Sequence, residues 1–127
     1  MADPSSDLLE INNLLAEYCL SADECRFEDW ARCFTKDGEM HAFRRVWKGF
    51  DELVSHISAA PEGLHMCGTP HVTLDSDRAE VQVNFLFVTH EKEIWSMGKY
   101  VDELSRTPEG WRIASRKVRI LKPSKKE

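Results

Sequence analysis

Apolar residues recur at helical spacing through much of the first half of the chain and at alternate positions through the second half. The helical spacing predicts helices over 7–22, 26–34 and 50–60. The alternating spacing predicts strands over 39–43, 45–48, 64–75, 79–90, 94–106 and 111–121. Because the helices come mostly before long strands that can pair antiparallel, we expect one α+β domain over 1–127.

Local signals mark the ends of these elements. Ser5 or Ser6 is expected to cap the first helix, and Pro61 to end the third. Turn residues should separate other neighbours at 36–38, 91–92 and 107–110. The predicted sheet wraps against the helices, and such an arrangement leaves a concavity where a small ligand can bind.

The strand predicted over 64–75 carries the histidine around which we expect the site. One parity of this strand is apolar, at Leu64, Met66, Val72 and Leu74. His65 lies on the other parity, at the entrance of the strand. The unperturbed pKa of an imidazole lies near neutrality, which suits proton transfer. We therefore predict that the chain builds a pocket around His65.

Asp23 stands at the predicted end of the first helix, where the helix dipole disfavours an acid. It is either solvated, or a cap for the second helix, or a carboxylate turned toward His65 to accept its ring N–H. Tyr18 lies about 140° away around the same helix, so both reach one cavity only if the helix turns near Ala22. Tyr18 itself is either a core aromatic or a cavity residue.

A metal site is the alternative for the histidine strand. His65 and Cys67 share a strand face, and such side chains can ligate one ion. A zinc site needs further ligands, for which only His71 or Asp23 is available, so we expect no metal.

Other polar residues have simpler expected positions. His41 and His56 are expected on polar faces. Arg116, Lys117 and Arg119 are expected to face solvent, with an anionic substrate group as the alternative partner for one of them.

Composition and net charge indicate which kinds of binding partner to expect. The 127 residues are 42% hydrophobic and 31% charged, which is typical of a globular domain. A net charge of −5 argues against nucleic acid. The residues 122–127, with Lys122, Lys125 and Lys126, are expected to be a flexible, solvated basic tail rather than a binding arm.

The sequence also indicates the cellular compartment in which we expect the protein. No apolar run approaches the length of a membrane span, and the polar start does not resemble a signal peptide, so we expect a cytoplasmic protein. In that reducing compartment the four cysteines are expected to be free thiols: Cys19, Cys25, Cys33 and Cys67.

Several motifs resemble the SnoaL-like branch of the nuclear transport factor 2-like (NTF2-like) superfamily, across 7–121. They are Phe27-Glu28-Asp29-Trp30, Cys33-Phe34-Thr35-Lys36-Asp37-Gly38, Gly49 opening a helix and His65 opening a strand. Tyr18, Asp23 and the run from His65 to Pro70 are similar to bile acid 7α-dehydratase. The Asp23/His65 pair also resembles the dyads of hexachlorocyclohexane dehydrochlorinase and scytalone dehydratase.

The resemblance implies a cone-shaped α+β barrel, with three N-terminal helices against a strongly curved, mostly antiparallel sheet. It implies that His65 is the base, that Asp23 orients it and that Tyr18 hydrogen-bonds the substrate or leaving group. Related domains pair through the sheet, so we expect a homodimer.

The expected function is a cofactor-independent lyase of the dehydratase type. Its substrate would be a small, largely apolar hydroxylated molecule such as a steroid or polyketide, bound by Trp30, Phe85, Phe87 and Met97. An isomerase or polyketide cyclase with the same dyad remains an alternative, as does a non-catalytic ligand-binding or dimerisation module.

Overall fold

The structure, a computed structural model, describes residues 3–91 and 93–121. Within them the elements are α1 (Pro4–Asp23), α2 (Phe27–Ala31), β1 (Phe34–Ala42), β2 (Arg45–Lys48), α3 (Gly49–Ala59), β3 (Gly63–Cys67), β4 (His71–Asp75), β5 (Arg78–Thr89), β6 (Ile94–Thr107) and β7 (Gly110–Ile120). The predicted basic tail, and Lys92 of a predicted turn, lie outside the described residues. None of the described helices combines the length and apolar character that a membrane crossing requires.

The seven strands form one sheet in the order β2-β1-β7-β6-β5-β3, and β4 pairs with the other half of β5. All pairings are antiparallel except that of β1 with β7. The α+β class is therefore confirmed, while the sheet stays open rather than closing into the expected barrel. Helix α1 packs against β3 and β7, and α3 packs against β1 and β2. The core lies between these helices and the sheet.

Helix α1 begins earlier than predicted because a different residue caps it. The side chain of Asp3, rather than Ser5 or Ser6, accepts a hydrogen bond from the backbone N–H of Ser5 at 3.2 Å. Pro4 occupies the first turn, where its missing N–H is not needed. The helix buries one stripe of side chains, and its last residue is Asp23.

The second helix is shorter than the predicted 26–34 because the sheet captures its end. The backbone N–H of Ile113 on β7 donates to the carbonyl of Cys33 at 2.8 Å, and Phe34 already pairs with Ile113. The predicted turn at 36–38 is instead an irregular part of β1, where the register against β7 shifts. Tertiary pairing overrides the local turn signal here.

The strand predicted over 64–75 is divided into β3 and β4 by 68–70, where Pro70 has no N–H to pair. The register against β5 shifts by one residue across this break, since His65 opposes Phe87 whereas Val72 opposes Val81. A shift of one residue exchanges the two faces of a strand. His65 therefore points inward on β3, and Val72 points inward on β4.

The predicted continuous apolar face is consequently wrong in its first half. Leu64 and Met66 point outward, with exposed fractions of 52% and 55%. The inward position of His65 agrees with the predicted pocket.

Candidate active site

Asp23 and His65 meet where the end of α1 lies against β3. One Asp23 carboxylate oxygen lies 2.7 Å from His65 Nδ1, and both lie 3.0 Å from the backbone nitrogen of His65. The side chains are 11% and 18% exposed, respectively. Asp23 is thus neither solvated nor a cap of α2, which has no side-chain cap. The predicted contact is present, and it accounts for an acid at a helix C-terminus.

This hydrogen bond assigns the tautomer of the imidazole. Because Nδ1–H donates to the Asp23 carboxylate, the neutral ring leaves Nε2 as its unprotonated nitrogen. The ring lies 4.5 Å from that of Phe87 and 6.4 Å from that of Tyr18, between centroids. An imidazole held in this way can act as a general base.

A cavity of about 380 Å³ opens beside His65, between the helices and the inner face of the sheet. This volume lies at the lower end of the range for small-molecule sites. Tyr18 and His65 line it, and so do the predicted Trp30, Phe85 and Phe87. Asp23 is not in the lining, so it supports His65 from behind. Because Asp23 need not reach the cavity itself, the expected turn of the helix near Ala22 is not required to bring Tyr18 and His65 to one site.

Met97 does not line this cavity but a shallow groove on the outer face of the sheet, which corrects its predicted place. Met97 pairs with Leu86 on the outward parity of the two strands. A β-bulge lies just before it in β6: Phe87 pairs with Ser96 and Val88 with Ile94, so Trp95 has no partner opposite. The bulge turns the side chain of Trp95 toward the cavity, which it lines. The ring centroids of Trp95 and Phe87 lie 5.9 Å apart.

Arg116 is buried behind the cavity, not solvent-facing as predicted. Its side chain is 1% exposed and makes two hydrogen bonds to Asp102, at 2.8 and 2.7 Å. A second bulge causes this orientation. Glu103 pairs with Ser115 but Leu104 pairs with Ile113, so the intervening residue of β7 is unpaired and the inward face changes parity.

Arg116 also packs against two tyrosine rings of the cavity wall. Its Cζ lies 4.2 Å from the ring centroid of Tyr18 and 3.8 Å from that of Tyr100, as in cation–π contacts. Burial opposes the charge of Arg116, but Asp102 outweighs it and keeps the Arg116 pKa well above its usual value. Arg116 therefore remains a cation next to Tyr18.

The hydroxyl of Tyr18 is a donor at neutral pH. Burial raises the pKa of Tyr18 to about 12, while the neighbouring charge of Arg116 works in the opposite direction. The hydroxyl lies 4.0 Å from the sulfur of Met40, a weak acceptor. Nε1 of Trp30, also buried in the cavity wall, has no acceptor among the described residues. The Tyr18 hydroxyl can donate to an oxygen of a bound molecule.

Two thiols flank the dyad. The sulfurs of Cys19 on α1 and Cys67 on β3 lie 3.5 Å apart and are not bonded, as expected of free thiols. The contact with Cys67, together with burial, raises the pKa of Cys19. Within the part of the chain that the structure describes, no three side chains of the metal-ligating types cluster. Cys67 thus has Cys19 as its neighbour rather than a set of metal ligands.

His56, expected on a polar face, lies in the cavity wall instead, and Arg45 and Trp47 are further cavity residues that the sequence interpretation missed. His56 lines the cavity from α3, with its ring centroid 3.9 Å from that of Trp47. Burial, and then the charge of Arg45, lowers the pKa of His56, so its imidazole is neutral at pH 7. The spacing offered a signal, since His56 follows the buried Leu53 by three residues and so shares its helical face.

Comparison with known proteins agrees with this architecture. A family model described as "SnoaL-like domain" matches residues 3–117. An uncharacterized protein of Mycobacterium tuberculosis is 32% identical over 122 residues, covering 87% of this chain and 83% of that protein.

Two solved structures from Novosphingobium aromaticivorans share the fold. One is an NTF2-like protein with a cystatin-like fold, with a TM-score of 0.86 at 23% identity, covering 95% of this chain and 86% of that chain. The other is named "Putative Scytalone Dehydratase", with a TM-score of 0.78 at 19% identity, covering 92% and 85%, respectively. These likenesses show helices packed on a curved, mixed sheet of the NTF2-like kind.

Proposed function

The chain belongs to the SnoaL-like family, and we propose that it is a cofactor-independent lyase that eliminates water from a small, largely apolar hydroxylated molecule. The observation that carries this proposal is the 2.7 Å hydrogen bond from His65 to Asp23 at the wall of a mainly aromatic and aliphatic cavity. A base held by a buried carboxylate next to an apolar cavity is suited to removing a proton from carbon.

In the proposed reaction Nε2 of His65 takes a proton from a carbon next to a carbonyl group. The C–H electron pair forms the new C=C bond as the neighbouring C–O bond breaks. The hydroxyl leaves with the proton that His65 took, so water is released and neutral His65 is restored. Asp23 stabilises the imidazolium formed on the way, because its carboxylate already accepts the Nδ1–H.

Tyr18 has the complementary role in this proposal. Its hydroxyl stays protonated because the pKa is about 12, so it donates a hydrogen bond rather than a proton. A donor in a water-poor cavity stabilises the negative charge that develops on a substrate oxygen. The cation of Arg116, 4.2 Å from the ring centroid of Tyr18, strengthens that donor.

The two enzymatic alternatives differ from elimination only after the proton has been removed. An isomerase or cyclase would begin with the same step at His65. A non-catalytic module would have no need for a base at the cavity wall, so the Asp23–His65 contact favours an enzyme. The shared fold with a structure named as a dehydratase is further support for elimination.

The test is turnover of bicyclic β-hydroxyketones, followed by the ultraviolet absorbance of the conjugated enone. His65→Ala should lower kcat by about 10²–10⁴-fold. His71→Ala is the matched control, because His71 is exposed on β4 and outside the cavity lining. Full activity in folded His65→Ala would exclude the mechanism. Substrate deuterated at the carbon that loses its proton should react more slowly if His65 removes that proton in the limiting step.

A further inference from the structure

A cation lies at one end of the cavity, held against an aromatic side chain. Arg45 and Trp47 are two residues apart on β2 and share its cavity face. The Arg45 Cζ lies 4.8 Å from the Trp47 ring centroid, and the His56 ring centroid lies 3.9 Å from it. We refer to Arg45, Trp47 and His56 as the β2–α3 cluster. One indole thus orients both a guanidinium and an imidazole.

The charge of Arg45 is not neutralised within the cavity. Among the described residues that line the cavity, Arg45 alone carries a formal charge at pH 7, and none is Asp or Glu. Arg45 forms no ion pair with any described side chain. The carboxylate of Glu39, on the adjacent β1, pairs with His41 at 2.9 Å and with Lys48 at 3.6 Å.

Arg116 differs from Arg45 in having a counter-ion. It too lies close to the cavity, but Asp102 neutralises it through two hydrogen bonds. The chain as a whole carries a net charge of −5. An uncompensated arginine on an apolar cavity in an acidic protein is therefore a local electrostatic feature that favours an anion.

We propose that the β2–α3 cluster binds a carboxylate of the substrate, so that the substrate is an apolar ring compound with a carboxylate remote from the reacting carbon. This inference rests on the proposed function, whose site it extends. The planar guanidinium of Arg45 matches a carboxylate in shape and hydrogen-bonding pattern. The neutral imidazole of His56 adds an N–H donor, and Trp47 covers the apolar part of the ligand.

Binding of unreactive ligands tests this inference separately from catalysis. The probes are 2-naphthoate and 2-naphthamide, which differ in charge but hardly in shape and carry no hydroxyl group to eliminate. Isothermal titration calorimetry at pH 7 and low salt gives Kd for each. Wild type should bind naphthoate about 5- to 10-fold more tightly, a modest ratio because Arg45 is exposed to solvent.

Arg45→Gln should remove this preference, with a much smaller change in the affinity for naphthamide than in that for naphthoate. Arg44→Gln is the matched control, since Arg44 is the preceding residue, is exposed and does not line the cavity. Arg45→Lys should retain part of the preference, because it keeps the charge but loses the planar fork. Thermal melts verify that each variant is folded.

Two results would overturn the inference. One is equal affinity of wild type for the two probes. The other is a preference that survives in Arg45→Gln, which would assign the anion to another basic surface. His65→Ala should keep the full preference for naphthoate even though it loses turnover. A failure of the elimination mechanism is therefore distinguishable from a failure of carboxylate binding.

Discussion

The Asp23 carboxylate accepts hydrogen bonds from two groups of His65, the ring Nδ1–H at 2.7 Å and the backbone N–H at 3.0 Å. One side chain at the end of α1 thereby fixes the path of β3 and the orientation of the imidazole that β3 carries. Local fold and proposed chemistry share this residue, and substitutions can separate the two roles.

Asp23→Asn should lose activity while largely keeping the fold. The amide oxygen can still accept the backbone N–H of His65, but it carries no charge to stabilise an imidazolium. We expect kcat to fall by about 10²–10⁴-fold with a nearly unchanged melting temperature. Asp23→Ala should in addition lower the free energy of unfolding by about 1–3 kcal/mol, because a half-buried N–H loses its acceptor.

Steady-state kinetics and urea unfolding separate these effects. Glu24→Gln serves as the control, since Glu24 is the next residue and is exposed. If Asp23→Asn turned over substrate at the wild-type rate, Asp23 would be a structural residue only.

Tyr18→Phe should lower kcat with little change in stability. Among the described residues its hydroxyl donates to the sulfur of Met40, a weak acceptor at 4.0 Å, so its removal breaks no strong hydrogen bond that it donates. Loss of a donor to a developing oxyanion lowers kcat by about 10²–10³-fold. Tyr100→Phe removes the hydroxyl of the other tyrosine in the chain and should affect kcat less. Equal losses in the two variants would argue against a specific role for Tyr18.

The outer face of the sheet is expected to pair two copies of this chain, and we keep the homodimer as a proposal. Met66 and Met97 expose apolar surface there, and Lys117 and Glu103, further along the same face, are exposed side chains of opposite charge. A two-fold interface needs a self-complementary surface, and this mixture of apolar and oppositely charged residues fits one. Light scattering at micromolar concentration should give twice the mass of one chain, and Met66→Glu should shift it toward a monomer. A monomeric wild type would contradict the proposal.

The sequence predicts the helices and most strands of this fold because their hydrophobic periodicity is strong. It also pointed to Asp23, through an acid at an unfavourable helix end, and to His65, through its place on a strand. Their contact joins residues from different elements, which periodicity cannot pair. The family resemblance supplied that pairing, and the 2.7 Å distance agrees with it.

Two of the misplaced strand residues lie beside single-residue irregularities in the strands. A bulge before Arg116 turns it inward, and a bulge at Trp95 puts Trp95 on the face opposite to Met97, although the two residues share a parity. Alternation fails when it is carried across a bulge, because a shift of one residue exchanges the faces of the strand. One usable signal was Asp102, which lies on the inward parity of β6 between Tyr100 and Leu104, and a buried acid there implies a buried cation.

The Asp7 carboxylate should make stability depend on acid pH. Hydrogen bonds from Arg106, and then from Trp111, hold the pKa of Asp7 below its usual value of 3.8. A carboxyl group with a lowered folded pKa stabilises the protein above its unfolded pKa, and that contribution disappears as the pH falls below about 4.

Urea unfolding at pH 7 and at pH 3 tests this pH dependence. Asp7→Asn should lower the urea midpoint at pH 7, and its difference from wild type should narrow at pH 3. Asp75→Asn, at an exposed position at the end of β4, should show little difference at either pH. An equal effect of Asp7→Asn at both pH values would refute the role of its charge.

The buried pair of Asp102 and Arg116 should be strongly coupled in stability. Their side chains are 0% and 1% exposed, so neither charge has water as an alternative partner. Asp102→Asn leaves the guanidinium buried without its counter-ion, and we expect a loss of about 3–5 kcal/mol in the free energy of unfolding. The double variant Asp102→Leu/Arg116→Met removes both charges and should be more stable than Asp102→Asn, because no unpaired ion remains. Asp77→Asn, which breaks the exposed pair with Arg106, should lose at most about 1 kcal/mol. Urea unfolding of these variants decides the point: a double variant as unstable as the single one would mean that shape, rather than charge, ties Asp102 to Arg116.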